Sequence, residues 1–384
     1  MSEGTAKKEE RRKFQAIKGT RDLQPPETAV WSRVEQAARE VFASYGFGEV
    51  RLPIFEQTDL FARAVGGETD IVSKEMYSFE DRQSKLPDLG DLKNLATFIE
   101  KAEQAYRDGE IPRSEWNQKM IERVNLEIAD FKRAAEDFST IPASTDALER
   151  YAHHIFAAAH WAHLVRLGED ISLRPEATAS VCRAYIENGM QQWPQPVKLY
   201  TIGPMFRRER PQKGRYRQFY QIDAEVLGGS DAPGIDAELI EMVMTFFERL
   251  GLEGVELDIN CIGDRKCRPK YVELLRAALR KVQEKLGPDS QRRIETNPLR
   301  VLDSKLENEQ KIIEGMPHIA DHLCEECAEN YRGVKKELEL RGVKYRENWR
   351  LVRGLDYYSR TTFEITAKGL GSQNAVCGGG RYDG

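Results

Sequence analysis

The sequence has few cysteines, no long apolar run and no excess of basic charge. Six cysteines in 384 residues are too few for the disulfide scaffold of a small secreted protein. No apolar stretch approaches the roughly 20 residues that cross a bilayer, so no membrane partner is expected. The net charge of −5 excludes a surface covered in basic residues, and a nucleic acid would have to meet a local patch.

The N-terminal segment also lacks features that would place it in a membrane or a folded core. Residues 1–13 are polar and charged, with no apolar signal region. This composition predicts a disordered tail on a cytoplasmic protein.

Apolar spacing predicts further local elements. Apolar residues at helical spacing predict a helix over residues 28–45 that stops at Gly46. Residues 50–55 and 349–352 are predicted to form strands.

Basic charge is concentrated in one short segment. Residues 207–217 hold six Lys or Arg and one Glu, a local charge of +5. Such a cluster is costly to hold together unless an anion lies in it. The flanking residues 198–206 and 218–227 have the aromatic and β-branched pattern of strands. The sequence therefore predicts a hairpin with an arginine-rich loop.

The second predicted strand has two different faces, because successive side chains of a strand point in opposite directions. One face is apolar and is expected to lie in the core; it carries Tyr220, Ile222, Ala224 and Val226. The other carries Phe219, Gln221, Asp223 and Glu225. An aromatic ring, an amide and two carboxylates are suited to a small polar cation beside a polyphosphate.

Residues 206–225 resemble motif 2 of the class II aminoacyl-tRNA synthetases, and of histidyl-tRNA synthetase in particular. Other segments agree in the family's order: Lys18-Gly-Thr-Arg-Asp22, Arg51-Leu-Pro-Ile-Phe-Glu56 (motif 1), Leu173-Arg-Pro-Glu-Ala-Thr178, Arg353-Gly-Leu-Asp-Tyr-Tyr358 and Gly378-Gly-Gly-Arg-Tyr-Asp-Gly384. Ala177 stands where the family has glycine. The resemblance implies an α+β fold, a class II antiparallel sheet flanked by helices.

The resemblance also implies an activity. The family activates L-histidine with ATP, accompanied by Mg²⁺, to histidyl-adenylate and transfers the histidyl group to tRNA(His). It acts as a homodimer, with Pro53 of motif 1 at the dimer interface. The alternative is a non-catalytic paralogue, such as the regulatory subunit of ATP phosphoribosyltransferase, but such a paralogue is expected to lose the basic loop.

The family pattern divides the chain into catalytic core and inserts. The core covers residues 14–85 with motif 1, 171–262 with motif 2, and 346–384 with the histidine signatures. Residues 263–345 resemble the family's mainly helical insertion domain near the tRNA acceptor end. Residues 86–170 depart from the family, and their apolar stripes predict about three helices, at 92–106, 116–131 and 145–167. Their 16 acidic and 10 basic residues argue against an RNA-binding arm; partner docking and simple packing both stay open.

Residue roles follow from the resemblance, position by position. Arg207 and Arg353 are expected to be catalytic and to neutralise charge at the α-phosphate. The expected ATP-binding residues are Arg207, Glu209, Arg215 and Phe219. The expected histidine-binding residues are Glu176, Thr178, Arg207, Gln221, Glu225, Arg353, Tyr357 and Tyr358. Structural alternatives exist: a solvated hairpin tip, core tyrosines (Tyr382 included), and for Glu176 a carboxylate favoured by a helix N-terminus.

The spacing of the cysteines and histidines gives only weak evidence for a metal site. Cys324-Glu-Glu-Cys327 has metal-ligand spacing, and Cys261 and Cys267 are the remaining candidates for a site. Cys261 and Cys267 are not a tight pair, so zinc is not expected. His153, His160 and His163 share a predicted helix face, but an ordinary helix histidine is the simpler interpretation.

The sequence stops at Gly384, and in the family this point precedes motif 3 and a C-terminal anticodon-binding domain. The resemblance therefore predicts a C-terminally truncated chain that is weakly active or inactive by itself.

Overall fold

The computed structural model describes residues 14–66, 69, 71–80, 101, 104, 107–108, 115–138, 157, 170–211, 214–352, 357–370 and 374–383. Several predicted features lie outside these residues: the tail at 1–13, most of the helix at 92–106, nearly all of the helix at 145–167 with its histidines, and Arg353. The chain divides into two compact units. The first contains Met1–Ile54, Leu60–Met76 and Arg174–Gly384, and the second contains Phe55–Asp59 and Tyr77–Leu173.

The described α-helices are α1 Glu27–Ser44, α2 Thr58–Val65, α3 Glu115–Phe138, α4 Thr178–Glu187, α5 Pro233–Arg249, α6 Arg268–Arg280, α7 Pro288–Thr296, α8 Glu307–Ile313 and α9 Glu325–Leu340. A π-helix covers Ile71–Glu75, and short 3₁₀ helices cover Met190–Gln192, Gln283–Lys285, Pro298–Val301 and Ile319–His322. In the described part of the chain, no helix combines the length and apolar character needed to span a membrane.

The described strands are β1 Gly48–Glu49, β2 Phe55–Gln57, β3 Tyr77–Glu80, β4 Asp170–Leu173, β5 Val197–Phe206, β6 Gln218–Leu227, β7 Val255–Cys261, β8 Arg346–Glu347, β9 Ser359–Ala367 and β10 Ala375–Arg381. They form sheets in the orders β1-β5-β6, β10-β9-β7-β8 and β2-β4-β3. Most neighbours are antiparallel, and β1 with β5 and β7 with β8 are the parallel pairs. The expected α+β class, with antiparallel sheets and flanking helices, is confirmed.

The main core of the first unit lies between the long strands and helices α1, α5 and α9. Helix α1 contributes Ala37, Ala38, Val41 and Phe42 at helical spacing. Its C-terminal end agrees with the predicted stop, because Gly46 adopts a φ of +81°, which a residue with a Cβ rarely adopts.

Strands β5 and β6 form the predicted hairpin, paired without interruption from Val197–Leu227 to Phe206–Gln218. Ile222, Ala224 and Val226 pack against the main core, as the alternation predicts. The expectation that Tyr220 lies in the core is wrong: it is 40% exposed at the outer end of the strand, with its ring 5.0 Å from that of Trp31. The opposite face of β6 is therefore left for polar side chains.

The predicted strand at 50–55 is wrong in its bounds. The structure has β1 before this segment and β2 at its end, with an irregular stretch between them. The guanidinium of Arg174 donates to the carbonyl oxygens of Leu52 and Pro53, at 3.1 and 3.2 Å. Pro53 has no N–H and cannot donate a hydrogen bond to a neighbouring strand. The buried side chain of Arg174, and not a strand, therefore binds this backbone.

The predicted strand at 349–352 is also wrong. The chain forms the short β8 earlier, and Trp349 stacks on His318 with ring centroids 3.9 Å apart. The side-chain amide of Asn260 donates to the carbonyl oxygens of Trp349 and Leu351. This backbone is therefore satisfied by a side chain of β7.

Residues 263–345 are mainly helical, containing α6 to α9 and three of the 3₁₀ helices. Helices α6 to α8 enclose a second apolar cluster around Tyr271, Leu275, Leu279 and Ile313. In the second unit, α3 contains the apolar positions Met120 and Val124, both buried, within the helix predicted at 116–131. Its sheet places Ser172 between Thr58 and Ser78, with hydroxyl contacts of 2.8 and 2.7 Å.

Candidate active site

Glu225 lies at the centre of the polar face of β6. Its side chain is only 8% exposed, and it accepts hydrogen bonds from the hydroxyls of Thr178, at 2.6 Å, and Tyr382, at 2.5 Å. Burial raises the pKa of Glu225 to about 7, although the two hydroxyl bonds pull it down. Strand β6, the start of α4 and the residue after β10 therefore meet at one carboxylate.

Two further polar residues on this face carry buried atoms that find no hydrogen-bond partner among the described residues. These atoms are Gln221 Oε1 and Asp223 Oδ2. Burial, together with the neighbouring charges of Glu225 and Glu176, raises the pKa of Asp223 to about 8. Buried acceptors without donors are costly, so this face is suited to a ligand that brings N–H groups.

Glu176 precedes α4 and is 4% exposed. Its carboxylate accepts the backbone N–H groups of Thr178 and Ala179, at 2.9 and 3.0 Å. Burial raises the pKa of Glu176, although these bonds and the charge of Arg207 lower it. Glu176 therefore caps the helix N-terminus, as the structural alternative predicts. Its negative charge also raises the pKa values of Asp223 and Glu225.

The tyrosines of the two histidine signatures take different positions. Tyr357 packs edge-on against Tyr382, with ring centroids 5.7 Å apart. Burial raises the pKa of Tyr357 well above its usual value, and the nearby charges of Glu176 and Glu225 add to the shift. Tyr358 is 8% exposed and belongs to the apolar cluster of α6 to α8, against which Tyr357 also packs.

The arginine-rich hairpin presents Arg207 over the ring of Phe219. The Arg207 guanidinium carbon lies 5.1 Å from the ring centroid, and Nε donates to the carbonyl oxygen of Pro175 at 2.9 Å. Glu209 accepts from Arg215 at 2.8 Å. Arg207 is thus fixed on two sides, which leaves its fork oriented for an anion.

The Lys18-Gly-Thr-Arg-Asp22 segment packs directly on this hairpin. The carbonyl oxygen of Gly19 accepts the N–H of Arg217 at 2.7 Å. Gly19 has a φ of +93°, and a Cβ there would lie 2.8 Å from Arg217 Cγ. The guanidinium carbon of Arg21 lies 5.0 Å from the Tyr216 ring centroid. Sequence reasoning placed this segment in the family pattern but did not predict that it supports the loop.

Pro53, the expected interface residue, is exposed, and the neighbouring Ile54 is 44% exposed.

Arg174 is a positioning residue that the sequence did not predict. It is 3% exposed, and besides Leu52 and Pro53 it donates to the carbonyl oxygen of Pro204, so it ties motif 1 to the end of β5.

The cysteine candidates do not meet in the predicted combination. Cys267, Cys324 and Cys327 lie together with the carboxylate of Asp264, and Cys261 is not part of this group. Asp264 was not predicted, although its three-residue spacing from Cys267 matches the spacing of the other pair.

Known proteins resemble the chain along nearly all of its length. A sequence model of the family "Histidyl-tRNA synthetase" matches residues 146–384. The chain is 45% identical over 371 residues to a histidine–tRNA ligase of Solibacter usitatus, covering 97% of this chain and 69% of the relative. It is also 45% identical to one of Koribacter versatilis over 375 residues, with 97% and 67% covered.

Solved structures agree with the sequence relatives. The apo histidyl-tRNA synthetase of S. aureus is similar with a TM-score of 0.60 and 30% identity, covering 97% of this chain and 67% of that one. A Bacillus halodurans protein described as an ATP phosphoribosyltransferase regulatory subunit/histidyl-tRNA synthetase has a TM-score of 0.54 at 16% identity, with 96% and 76% covered, and shows the fold alone. The fold, the ordered motifs and these relatives together place the chain in the histidyl-tRNA synthetase family.

Proposed function

We propose that this chain activates L-histidine with ATP and transfers the histidyl group to tRNA(His), using the polar face of β6 and the arginine-rich hairpin. The observation that carries the amino-acid half is the set of buried acceptors on that face. Gln221 and Asp223 each hold a buried oxygen without a donor among the described residues. Histidine brings an α-ammonium group and a ring N–H, which supply donors to such atoms.

The arrangement separates the two halves of the substrate pair. Glu225, Glu176 and Tyr357 surround the acidic end, where a cation is favoured. Arg207 stands on the neighbouring edge over Phe219, where it would meet the α-phosphate and the histidine carboxylate. Attack of that carboxylate on the α-phosphate needs positioning and charge neutralisation more than covalent help from the protein.

The ATP half rests on the hairpin. Arg215, held by Glu209, is proposed to meet the terminal phosphates, and Phe219 the adenine. Mg²⁺ is proposed to enter with ATP as part of the substrate. Arg353, outside the described residues, is proposed to contribute the second positive charge at the α-phosphate.

Two assembly proposals rest on the family pattern. The exposed Pro53 and Ile54 are proposed to lie at a homodimer interface. Residues 263–345 are proposed to form the insertion domain that meets the acceptor end of tRNA(His). A regulatory paralogue is disfavoured, because the chain is 45% identical to histidine–tRNA ligases and retains the basic loop.

The proposed function is tested by ATP–pyrophosphate exchange with a panel of amino acids. We expect exchange with L-histidine. Glu225→Gln removes a charged acceptor worth about 1.5–3 kcal/mol, so the KM for histidine should rise by roughly 10-fold to 100-fold. The KM for ATP should stay unchanged.

Glu253→Gln is the matched control, since Glu253 is an exposed glutamate on the turn between α5 and β7. Its kinetics should equal those of the parent protein. Exchange with another amino acid, or an unaltered histidine KM in Glu225→Gln, would contradict the proposal.

A further inference from the structure

Four potential metal ligands converge where β7 leads into α6. The ligand atoms of Asp264, Cys267, Cys324 and Cys327 all lie within 4.8 Å of one another. The Sγ atoms of Cys267 and Cys327 are 3.9 Å apart, and Asp264 Oδ1 is 3.4 Å from Cys267 Sγ. Tetrahedral zinc with Zn–S bonds of about 2.3 Å separates its sulfur ligands by roughly 3.8 Å. The observed distances are close to that value.

The four residues form two pairs with the same spacing. Asp264 and Cys267 are three residues apart, and so are Cys324 and Cys327. Cys267 is the N-cap of α6 and Cys324 is the N-cap of α9. Helix N-termini favour negative charge, so Cys267 and Cys324 each lie where a negatively charged ligand is favoured. Paired ligands of this spacing, brought together from distant parts of the chain, are typical of zinc sites.

The first pair is held in a defined loop. The N–H of Asp264 points to Cys267 Sγ at 3.4 Å, while Asp264 Oδ1 accepts the N–H groups of Lys266 and Cys267. Gly263 has a φ of +68°, and a Cβ there would lie 2.8 Å from Cys267 Sγ. Arg268 donates to the carbonyl oxygens of Ile262 and Gly263, at 3.1 and 3.0 Å. The ligand atoms are therefore oriented by the backbone.

We propose that Asp264, Cys267, Cys324 and Cys327 bind one zinc ion in a structural site. Three thiolates with one carboxylate favour zinc over magnesium or calcium, which prefer oxygen ligands. Four protein ligands fill a tetrahedral shell and leave no open position for a substrate, so the site is structural and not catalytic.

A disulfide and ordinary packing of thiols are the competing explanations. A disulfide between Cys267 and Cys327 requires sulfur atoms about 2.05 Å apart, against the observed 3.9 Å. Apart from its two backbone N–H partners, the Asp264 carboxylate lies beside three thiols, which are only weak donors if they stay protonated. Cys261 provides the contrast, because it is 2% exposed in the same apolar core and has no place in the cluster.

The site would fasten the helical segment to the strand that follows the tyrosine pair. The N–H of Arg360, in β9, donates to the carbonyl oxygen of Gly263 at 2.8 Å, and Arg268 donates to the carbonyl oxygen of Tyr358. Closing the long loop between Cys267 and Cys324 restricts the unfolded chain, and zinc binding adds to the free energy of folding.

The test begins with the metal content of the intact protein, purified without chelator from zinc-supplemented cells. We expect one zinc per chain by elemental analysis. Titration of the native protein with a mercurial thiol reagent should release that zinc as the cluster thiols react. The metal-free protein should take up Co²⁺ with the intense near-ultraviolet band of cobalt–thiolate bonds. These measurements need no variant.

Variants then identify the ligands. Cys327→Ser and Asp264→Ala should lower zinc affinity by more than the roughly 10–100-fold that loss of a supporting contact causes. Cys261→Ser, a buried cysteine outside the cluster, should retain one zinc per chain. Three results would overturn the proposal: no zinc and no cobalt–thiolate band in the parent protein, a native mass two daltons low with two thiols lost to a disulfide, or equal zinc loss in Cys261→Ser.

Discussion

At the scale of single residues, the site is defined by carboxylates that are kept out of water. Burial raises the pKa values of Glu176, Asp223 and Glu225, and the charge of Glu176 adds to the rise at Asp223 and Glu225. Such a group is costly in the free protein and becomes favourable when a cation enters. The same carboxylates that lower the stability of the ligand-free protein therefore favour binding of the amino acid's ammonium group.

Asp223 gives a test of this cost. Its pKa is raised from 3.8 to about 8, so between these values the folded protein holds a proton that the unfolded chain has released. Stability is therefore greatest below about pH 4 for this group and falls as the pH rises towards 8. Asp223→Asn cannot ionise, and urea unfolding at a series of pH values should show a flatter decline.

Asp289→Asn is the control, because the Asp289 side chain is 81% exposed. It should leave the pH dependence unchanged. Saturating histidine should also flatten the decline of the parent protein, since a bound ammonium group favours the ionised carboxylates. Identical slopes in Asp223→Asn and the parent protein would contradict the assignment.

At the scale of elements, the N-terminal signature and the basic hairpin behave as one structure. Gly19→Ala should displace the side chain of Arg217, because the new Cβ would lie 2.8 Å from Arg217 Cγ. The left-handed φ adds about 1–2 kcal/mol of strain. We expect a lower unfolding midpoint and a raised KM for ATP in pyrophosphate exchange.

Gly46→Ala is the matched control for backbone strain. Gly46 has a φ of +81° but nothing lies within 4 Å of an added Cβ. It should lower stability by a similar strain and leave the KM for ATP unchanged. If both variants raise this KM equally, the contact between Gly19 and Arg217 does not position the loop.

At the scale of the whole molecule, a buried ion pair joins the last described strand to a core helix. Arg381, the last residue of β10, meets Asp236 of α5 at 2.5 Å, with side chains 10% and 8% exposed. Removing one partner leaves an uncompensated buried charge, which costs about 3–5 kcal/mol. Arg381→Met should therefore lower the free energy of unfolding by about this amount in denaturant titrations.

An exposed pair serves as the comparison. Arg280 and Glu295 are 55% and 57% exposed, and Arg280→Met should cost less than about 1 kcal/mol. Replacing both buried partners, by Arg381→Met with Asp236→Leu, should recover part of the loss. Equal costs at the two arginines would show that the buried pair does not tie the strand to the helix.

The sequence by itself determined the local elements and the family. Alternation along β6 predicted that Ile222, Ala224 and Val226 face the core, because residues two apart in a strand share a face, but it did not predict that Tyr220 is exposed. Helix α1 and its stop at Gly46 followed from helical spacing and a glycine. The ordered motifs alone indicate the histidyl-tRNA synthetase family, and the relatives confirm that family.

Only the tertiary structure decided which distant groups meet. The backbone at 50–54 lost its predicted strand because Arg174, more than a hundred residues away in sequence, binds its carbonyl oxygens. Asp264 joined the three cysteines because β7 and α9 bring two loops together. Asp223 gained its raised pKa from burial beside Glu225 and Glu176. Burial and long-range contacts depend on the packed chain as a whole, and periodicity over a few residues carries no information about them.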